Sequence, residues 1–408
     1  MPPPVAHALP PPRVGKLPAV LLVGIFLAAL FLVPLVTFLG PAARRTVSAT
    51  EKRTLAPLPA VPRDLPALTA FSGKFEAWFN DHFFSRDQLV TAHSYLQLEL
   101  FGQSSNRQVV VGRAGWLYYD YGSDLDNYRG LSQLQPEFLQ VLRETLEIRR
   151  DWFARRGVRY LFVVAPDKQT IYPDYLPAWV RKIHPDTALD QFMDYLHASG
   201  STLEVPDLRP VLRAARATNR LYLRTDTHWN GLGAQVAHTI IQQRLANIFP
   251  EAHFPPPLAV TASVAIRPGG DLADLLGLSD ILREHVVTLT PTDPHFHAAP
   301  WNLTGLDTWQ TDFRHFVRDP GASLRVLVLR DSFYVQMLAP LAEQTAESLF
   351  LARLPQTHHD DPATLRSAID QFHPDIVIEE IVERNLLDLF VVHPGGLCES
   401  NDRFLADP

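Results

Sequence analysis

The chain has 408 residues, 46% of them apolar, and a formal net charge of -7 at pH 7. It is long enough for a substantial core, and its acidic balance argues against a phosphate-backbone partner, since nucleic-acid binders need a basic face to release counterions. Cys398 is the only cysteine, which excludes an intramolecular disulfide and a cysteine-based metal cluster and leaves the compartment open.

Residues 1–16 are rich in proline and read as an extended tail. Residues 17–40, LPAVLLVGIFLAALFLVPLVTFLG, carry no charge and lie between Arg13 and Lys16 on one side and Arg44 and Arg45 on the other. The run exceeds the roughly 20 residues that cross a bilayer core and the roughly 7–15 of a signal-peptide apolar region, which favours a retained transmembrane anchor. Pro34 inside it is tolerable in a membrane. The flanking charges are balanced. The small size of the tail places it in the cytoplasm, and the large body that follows on the periplasmic or extracytoplasmic side of an inner (cytoplasmic) membrane crossed once.

A linker is expected over residues 41–66, ending in the proline-rich APLPAVPRDLP. GKFEAWFNDHF and DQLVTAHSYLQLELFG then carry Phe75, Trp78 and Phe79, and Leu89, Leu96 and Leu100, at helical spacing. RQVVVGRAGWLYY reads as a hairpin turning between Gly112 and Gly115. A long amphipathic helix is expected over 136–156, stopped by Gly157. Short apolar, strand-like runs follow at 159–165, 220–224, 325–330, 348–354 and 375–381, alternating with helices. Such a pattern implies an α/β fold with a mainly parallel sheet covered on both faces, whose ligands sit beyond the carboxyl ends of the strands. The expected body spans residues 67–400, with a C-terminal tail over 401–408.

Two corners carry the reactive residue types. In RVLVLRDSFYVQMLAPLAEQ a strand ends at Arg330, Asp331 and Ser332 follow, and a helix begins. A serine there lies at a helix N-terminus, whose N–H groups can stabilise an oxyanion. The competing reading is that Asp331 or Ser332 only caps the helix. In RLYLRTDTHWNGLGAQ, Asp226 and His228 precede a helix opening near Asn230 or Gly231. Two residues apart in extended backbone, they point to one side. A serine hydroxyl needs a histidine to accept its proton, and that histidine needs a carboxylate to fix its tautomer. A structural pair, with a capping aspartate and a satisfied histidine, is the alternative.

Other positions carry weaker signals. His358, His359, Asp360 and Asp361 lack regular ligand spacing, so no metal is expected. Asp81 and His82, with Arg86 and Asp87, read as a turn between two helices. Lys168 and Asp271 lie at sheet-end loops, where each could contact substrate or form a surface ion pair. Glu383 and Arg384 follow the last strand and could form an ion pair at the rim of a site or a structural salt bridge. Trp116, Tyr118, Tyr119 and Trp229 could line a glycan groove, although core packing is the commoner fate of such side chains.

TEKRTLAPLP, FEAWFNDHFFSRDQL, LFGQSSNRQVVVGRAGWLYY, VVAPDKQTIYPDYLP, RTDTHWNGLGA, GGDLADLLGL, RDSFYVQM and PDIVIEEIVERNL occur in this order over residues 50–390. Together they resemble the AlgJ- and AlgX-type alginate O-acetyltransferases and related DHHW proteins. The resemblance implies an SGNH-hydrolase-like fold and maps the family's catalytic set onto Asp226, His228 and Ser332, without a cofactor. It further implies that Ser332 accepts an acetyl group, supplied through a membrane-bound O-acyltransferase partner, and passes it to a hydroxyl of an exported polysaccharide. Arg330 and Tyr334 stand where many family members carry small residues. With Lys168, Asp271 and Arg384 they are the candidate substrate or oxyanion contacts. A carbohydrate acetyl esterase, and a non-catalytic scaffold or glycan-binding subunit of an exopolysaccharide complex, are the alternative functions.

Overall fold

A computed structural model describes residues 16–40, 46–48, 53–122, 124–300, 313–352, 362–388, 401–402 and 404–407. The chain divides into two compact units, residues 1–96 and 97–408.

The first unit opens with helix α1 (Lys16–Leu39), a short antiparallel pair β1 (Val47–Ser48) and β2 (Arg53–Thr54), then α2 (Leu65–His82) and most of α3 (Arg86–Phe101). Among the described residues, α1 is the one helix long and apolar enough to cross a membrane. Its leucine, valine and phenylalanine side chains are mostly exposed, as suits a lipid neighbour and not a protein core. Helix α2 begins where the Asp64 carboxylate accepts the Ala67 N–H at 2.7 Å, with a proline in the first turn. Phe38 near the end of α1 lies 5.0 Å from the Trp78 ring and 6.0 Å from Phe75. The periodic leucines of α3, Leu89, Leu96 and Leu100, are exposed.

The second unit begins with the expected hairpin, β3 (Val109–Val111) and β4 (Leu117–Tyr119), turned through Ala114 and Gly115 at positive φ. There follow α4 (Asp124–Tyr128), α5 (Pro136–Ala154), β5 (Arg159–Ala165), α6 (Lys168–Ile171), α7 (Ala188–Ala198), α8 (Arg209–Ala215) and α9 (Gly231–Ile248). Next come β6 (Val260–Pro268), α10 (Asp271–Leu275), β7 (Arg283–Pro291), β8 (Phe296–Ala298), β9 (Phe313–Arg318) and β10 (Arg325–Arg330). A 3-10 turn over Ser332–Met337 leads into α11 (Leu338–Gln344), β11 (Glu347–Ala352), α12 (Pro362–Phe372), β12 (Ile376–Val382) and α13 (Asn385–Asp388).

Six strands form the central sheet in the order β5, β12, β10, β11, β9, β8. The pairings from β5 to β11 are parallel, and the two edge pairings, β11 with β9 and β9 with β8, are antiparallel. The sheet is therefore mixed, parallel through its β-branched centre and antiparallel at one edge. Alternate strand residues face opposite sides. Val326 and Val328 join a core with Ala234, Ala237 and Ile241 of α9 and Leu341 of α11, and Leu327 and Leu329 join one with Leu142 and Leu146 of α5, Phe192 of α7 and Leu365 of α12. Both faces are covered, as continuous apolar strands require.

Residues 220–224, expected as a strand, are not one. Only Tyr222 forms a bridge, to Trp229. The main chain there is taken up by side chains instead: Tyr172 Oη accepts the Leu221 N–H, Glu284 the Arg224 N–H, and Lys168 binds two of its carbonyls. The long hairpin of β6 and β7, paired from Val260↔Pro291 to Pro268↔Arg283, was not expected from sequence.

Candidate active site

Three parallel strands end on one edge of the sheet, and each delivers polar residues there. After β5 come Asp167 and Lys168, after β10 Asp331 and Ser332, and after β12 Glu383 and Arg384. The loop 221–230 closes over this edge. It is pinned at its ends by the Asn230 N–H to the Leu221 carbonyl at 2.7 Å and by the Trp229 indole donating to the Phe333 carbonyl at 2.8 Å. Asn230 caps α9, its side-chain oxygen accepting the N–H groups of Leu232 and Gly233.

Within that loop the Asp226 Oδ1 accepts the His228 N–H at 2.9 Å and lies 2.6 Å from His228 Nδ1. The other ring nitrogen, Nε2, is 2.8 Å from the Ser332 Oγ, across 104 residues of chain. With Nδ1–H donating to a carboxylate, Nε2 faces the hydroxyl as an acceptor. Burial raises the Asp226 carboxyl, but the His228 hydrogen bond and charge outweigh it and bring it down to about 2. Burial lowers the His228 imidazole, but the Asp226 bond and charge, with Asp271 behind, leave it raised on balance.

Capping and an exposed hydroxyl are divided between neighbours at the serine corner. Asp331 Oδ1 accepts the Phe333 N–H and Oδ2 the Val382 N–H, each at 2.7 Å. Asp331 is the cap, and Ser332 is left exposed and turned to the imidazole. The Phe333 ring packs 4.8 Å from the His228 ring and 5.3 Å from Trp229.

Asp271, at the start of α10, accepts the Thr227 N–H at 2.7 Å and the Thr227 hydroxyl at 2.6 Å, and its own N–H donates to Asp226 Oδ2 at 3.1 Å. It holds the loop on the side away from the serine. Asp226, His228 and Asp271 bring three ligand-type atoms within 4.8 Å of one another. Those carboxylates accept from the ring, from Thr227 and from main-chain N–H groups.

Lys168 is buried, and its ammonium donates to the carbonyls of Leu223, Arg224 and Asp226 at 3.1, 3.1 and 2.6 Å. Burial pushes it down to about 7 against the upward pull of Asp226 and Asp271. It supports the loop from beneath, where a surface ion pair or substrate contact was the expectation. Arg330 and Tyr334 are buried too, Tyr334 against Phe350, so both lie behind the serine corner and not on its open face. Arg384 pairs with Asp167 at 2.7 Å and packs against Tyr119 and Phe333, each ring centroid 5.3 Å away. Glu383 points elsewhere, accepting from the Asp167 N–H and the Thr170 hydroxyl.

Trp116, Tyr118 and Trp229 are core residues, and Tyr119 is half-buried. Asp81 accepts the Ala56 N–H and His82 bonds the Trp78 carbonyl, both inside the first unit. His358, His359, Asp360, Asp361 and Cys398 lie outside the described residues. Glu284 went unread in the sequence. Almost fully buried, it accepts from the Arg224 N–H and from the Thr225 N–H and hydroxyl, and pairs with Arg220. Its place in the alternating run REHVVTLTP makes it look like an exposed strand residue.

Residues 109–295 match the protein family described as "SGNH hydrolase-like domain, acetyltransferase AlgX". The chain is 32% identical over 151 residues to the probable alginate O-acetylase AlgJ of Pseudomonas putida, covering 35% of this chain and 37% of that protein. To its Pseudomonas aeruginosa namesake it is 29% identical over 191 residues, covering 47% and 45%. The matches thus span between a third and a half of the length of these relatives. The solved O-acetyltransferase domain of Pseudomonas putida AlgJ is similar at a TM-score of 0.45 and 19% identity, over 72% of this chain and 98% of that domain. The resemblance to AlgJ- and AlgX-like, SGNH-hydrolase-like proteins expected from the sequence is found in these comparisons.

Proposed function

We propose that the chain is a serine-dependent O-acetyltransferase in which Ser332 is the nucleophile, His228 the general base and Asp226 the residue that orients the imidazole. The observation that carries this reading is the continuous hydrogen-bonded path from the Ser332 hydroxyl through the His228 ring to the Asp226 carboxylate, 2.8 and 2.6 Å long. Attack of Oγ on an acetyl carbonyl sends the hydroxyl proton to Nε2, and Asp226 stabilises the imidazolium so formed. The leaving group takes that proton as the acetyl-serine forms. An acceptor hydroxyl then repeats the step, returning the free serine and an acetyl ester. Asp331 uses the Phe333 N–H, so the N–H of Ser332 itself, at the start of the 3-10 turn, is the proposed oxyanion donor.

The relatives named alginate O-acetylases support a polysaccharide as the acceptor; in this reading that polysaccharide is exported and the acetyl group comes through a membrane-bound O-acyltransferase. In this reading residues 17–40 anchor the chain once in the inner membrane, 41–66 link it, and 67–400 work on the periplasmic side, between a cytoplasmic tail over 1–16 and a C-terminal tail over 401–408. The full chain, given an activated acetyl ester with and without polysaccharide, tests the proposal. Acetylated glycan and faster ester turnover in its presence are expected. Equal turnover with no glycan product marks an esterase, and polymer acetylation unchanged by Ser332→Ala marks a scaffold.

A further inference from the structure

Strand β12 carries two adjacent glutamates, both fully buried, and the pleat turns them to opposite faces of the sheet. Glu379 lies on the side of Val377 and Ile381 and has a cation: Arg149 Nη1 is 3.0 Å from its Oε1, and the Tyr160 hydroxyl donates to its Oε2 at 2.7 Å. Glu380 lies on the side of Ile378 and Val382, with Phe333 and Tyr334. Among the described residues no cation forms an ion pair with it, and the Arg330 guanidinium donates to the Asp331 carbonyl at 3.3 Å. What Glu380 meets is a second acid. Its Oε2 accepts the Asp331 N–H at 3.1 Å, and its carboxyl is in hydrogen-bond reach of the Asp331 carboxyl. Its other oxygen, Oε1, is buried without a partner.

Two carboxylates in contact, one of them fully buried, repel each other unless a proton lies between them. Asp331 receives two N–H groups, from Phe333 on Oδ1 and from Val382 on Oδ2, whereas Glu380 receives one. The proton therefore belongs to Glu380. Burial, with the Asp331 charge beside it, raises the Glu380 carboxyl well above its ordinary range, against a downward pull from Arg330. A neutral acid also tolerates an unbonded carbonyl oxygen better than an anion tolerates a bare carboxylate oxygen. In that form Glu380 accepts from the main chain of Asp331 and donates to its side chain, a double tie on the residue directly before the nucleophile. Ser332 itself is exposed, so the aim of its hydroxyl depends on how the corner beneath it is held.

We infer that Glu380 is a positioning residue, a neutral acid that holds both the main chain and the carboxylate of Asp331 and thereby aims the Ser332 hydroxyl at the His228 ring. This role rests on the serine mechanism proposed above. Glu380→Gln keeps a donor and an acceptor without a charge, and Glu380→Leu withdraws both while filling the space. With the full chain and a small acetyl ester, the glutamine variant should keep kcat within about threefold of the parent. The leucine variant should lose about 30-fold in kcat per folded molecule, with KM within about twofold, since a fraction of an ångström at the nucleophile is enough for such a loss. Sulfonyl labelling of Ser332 should slow in parallel. The infrared difference between parent and glutamine variant at pH 7 should contain the carbonyl band of a protonated carboxylic acid. A leucine variant as fast as the parent would remove the positioning role. A glutamine variant as slow as the leucine one, or a difference spectrum with carboxylate bands alone, would make Glu380 an anion and overturn the assignment. If the leucine variant does not fold, the glutamine variant and the spectrum decide. Failure of the serine mechanism itself shows separately, as ester turnover that survives Ser332→Ala.

Discussion

Gly270 lies directly against Asp226: a Cβ on the glycine would stand 2.3 Å from the Asp226 Oδ2 and 2.4 Å from its Cβ. The glycine is needed for close approach, since its φ of -79° suits any residue. Gly270→Ala forces the carboxylate off the imidazole by the better part of an ångström. A misplacement of that size costs about 100-fold in rate, with about 1–3 kcal/mol of stability from overpacking. Ester turnover and urea denaturation of the variant measure the two effects. An unchanged rate would show that Asp226 does not need its present position.

Ser332→Ala removes a hydroxyl from an exposed position, so stability should stay within about 0.5 kcal/mol. Acetyl-ester turnover should fall by about 10⁴-fold or more. A phenylmethanesulfonyl adduct, found by peptide mass spectrometry on Ser332 in the parent chain, should be absent from the variant. An adduct on another serine would move the nucleophile.

In the proposed relay His228 sets the pH dependence. Its raised value means that the imidazolium persists above the ordinary 6.5, and the general base is lost as pH falls through that raised value. The acid limb of kcat/KM should therefore lie above pH 6.5. Asp226→Asn withdraws the charge that raises the ring, so the limb should move to lower pH while the rate falls about 10⁴-fold. The linkage signs follow. His228 contributes stability that is full below its unfolded value and lost as pH rises through the folded one. Asp226, lowered to about 2, contributes stability above its ordinary 3.8 that is lost as pH falls toward 2.

Asp331 joins the serine corner to the neighbouring strand through the Phe333 and Val382 N–H groups. Asp331→Ala should cost about 1–2 kcal/mol as the cap is lost and slow sulfonyl labelling of Ser332, because the corner loses the side-chain half of its tie to β12 and keeps only the residue-331 N–H to Glu380. Asp331→Asn keeps one acceptor oxygen and should fall between the two. Labelling as fast in the alanine variant as in the parent would make the cap purely structural.

The strands that build the parallel centre were legible because continuous apolar, β-branched runs such as RVLVLR and DIVIEEI leave little alternative once both faces are buried. RLYLR, apolar at its centre but without a β-branched residue, is not a strand, and side chains of Lys168, Tyr172 and Glu284 take up its backbone instead. Those partners are distant in sequence, and nothing local reveals them. The hairpin of β6 and β7 is mostly exposed, so it carries no buried stripe to read. At the site, DTHWN and RDSF stood out as residue types, whereas the supports, Glu284, Asp271 with Thr227, and Gly270, depend on tertiary approach. Glu379, Glu380 and Glu383 did leave a trace, as acids in and just after a fully buried strand.

Lys168 shows how much of the site is support. Its ammonium serves three main-chain carbonyls of the Asp226 loop, and Lys168→Met keeps the apolar stem while withdrawing every donor. The stranded carbonyls should cost about 2–4 kcal/mol. Turnover should fall through kcat, with KM for a small acetyl ester little changed, because no substrate contact is lost. With the folded lysine near 7 and its ordinary value 10.5, the unfolded chain holds a proton between those values that the folded chain has released. Stability of the parent relative to the methionine variant should therefore rise from pH 7 toward pH 10, measured by urea denaturation at both. A gap that shrinks over that window, or a loss confined to KM, would place the ammonium in solvent or against the substrate instead of under the loop.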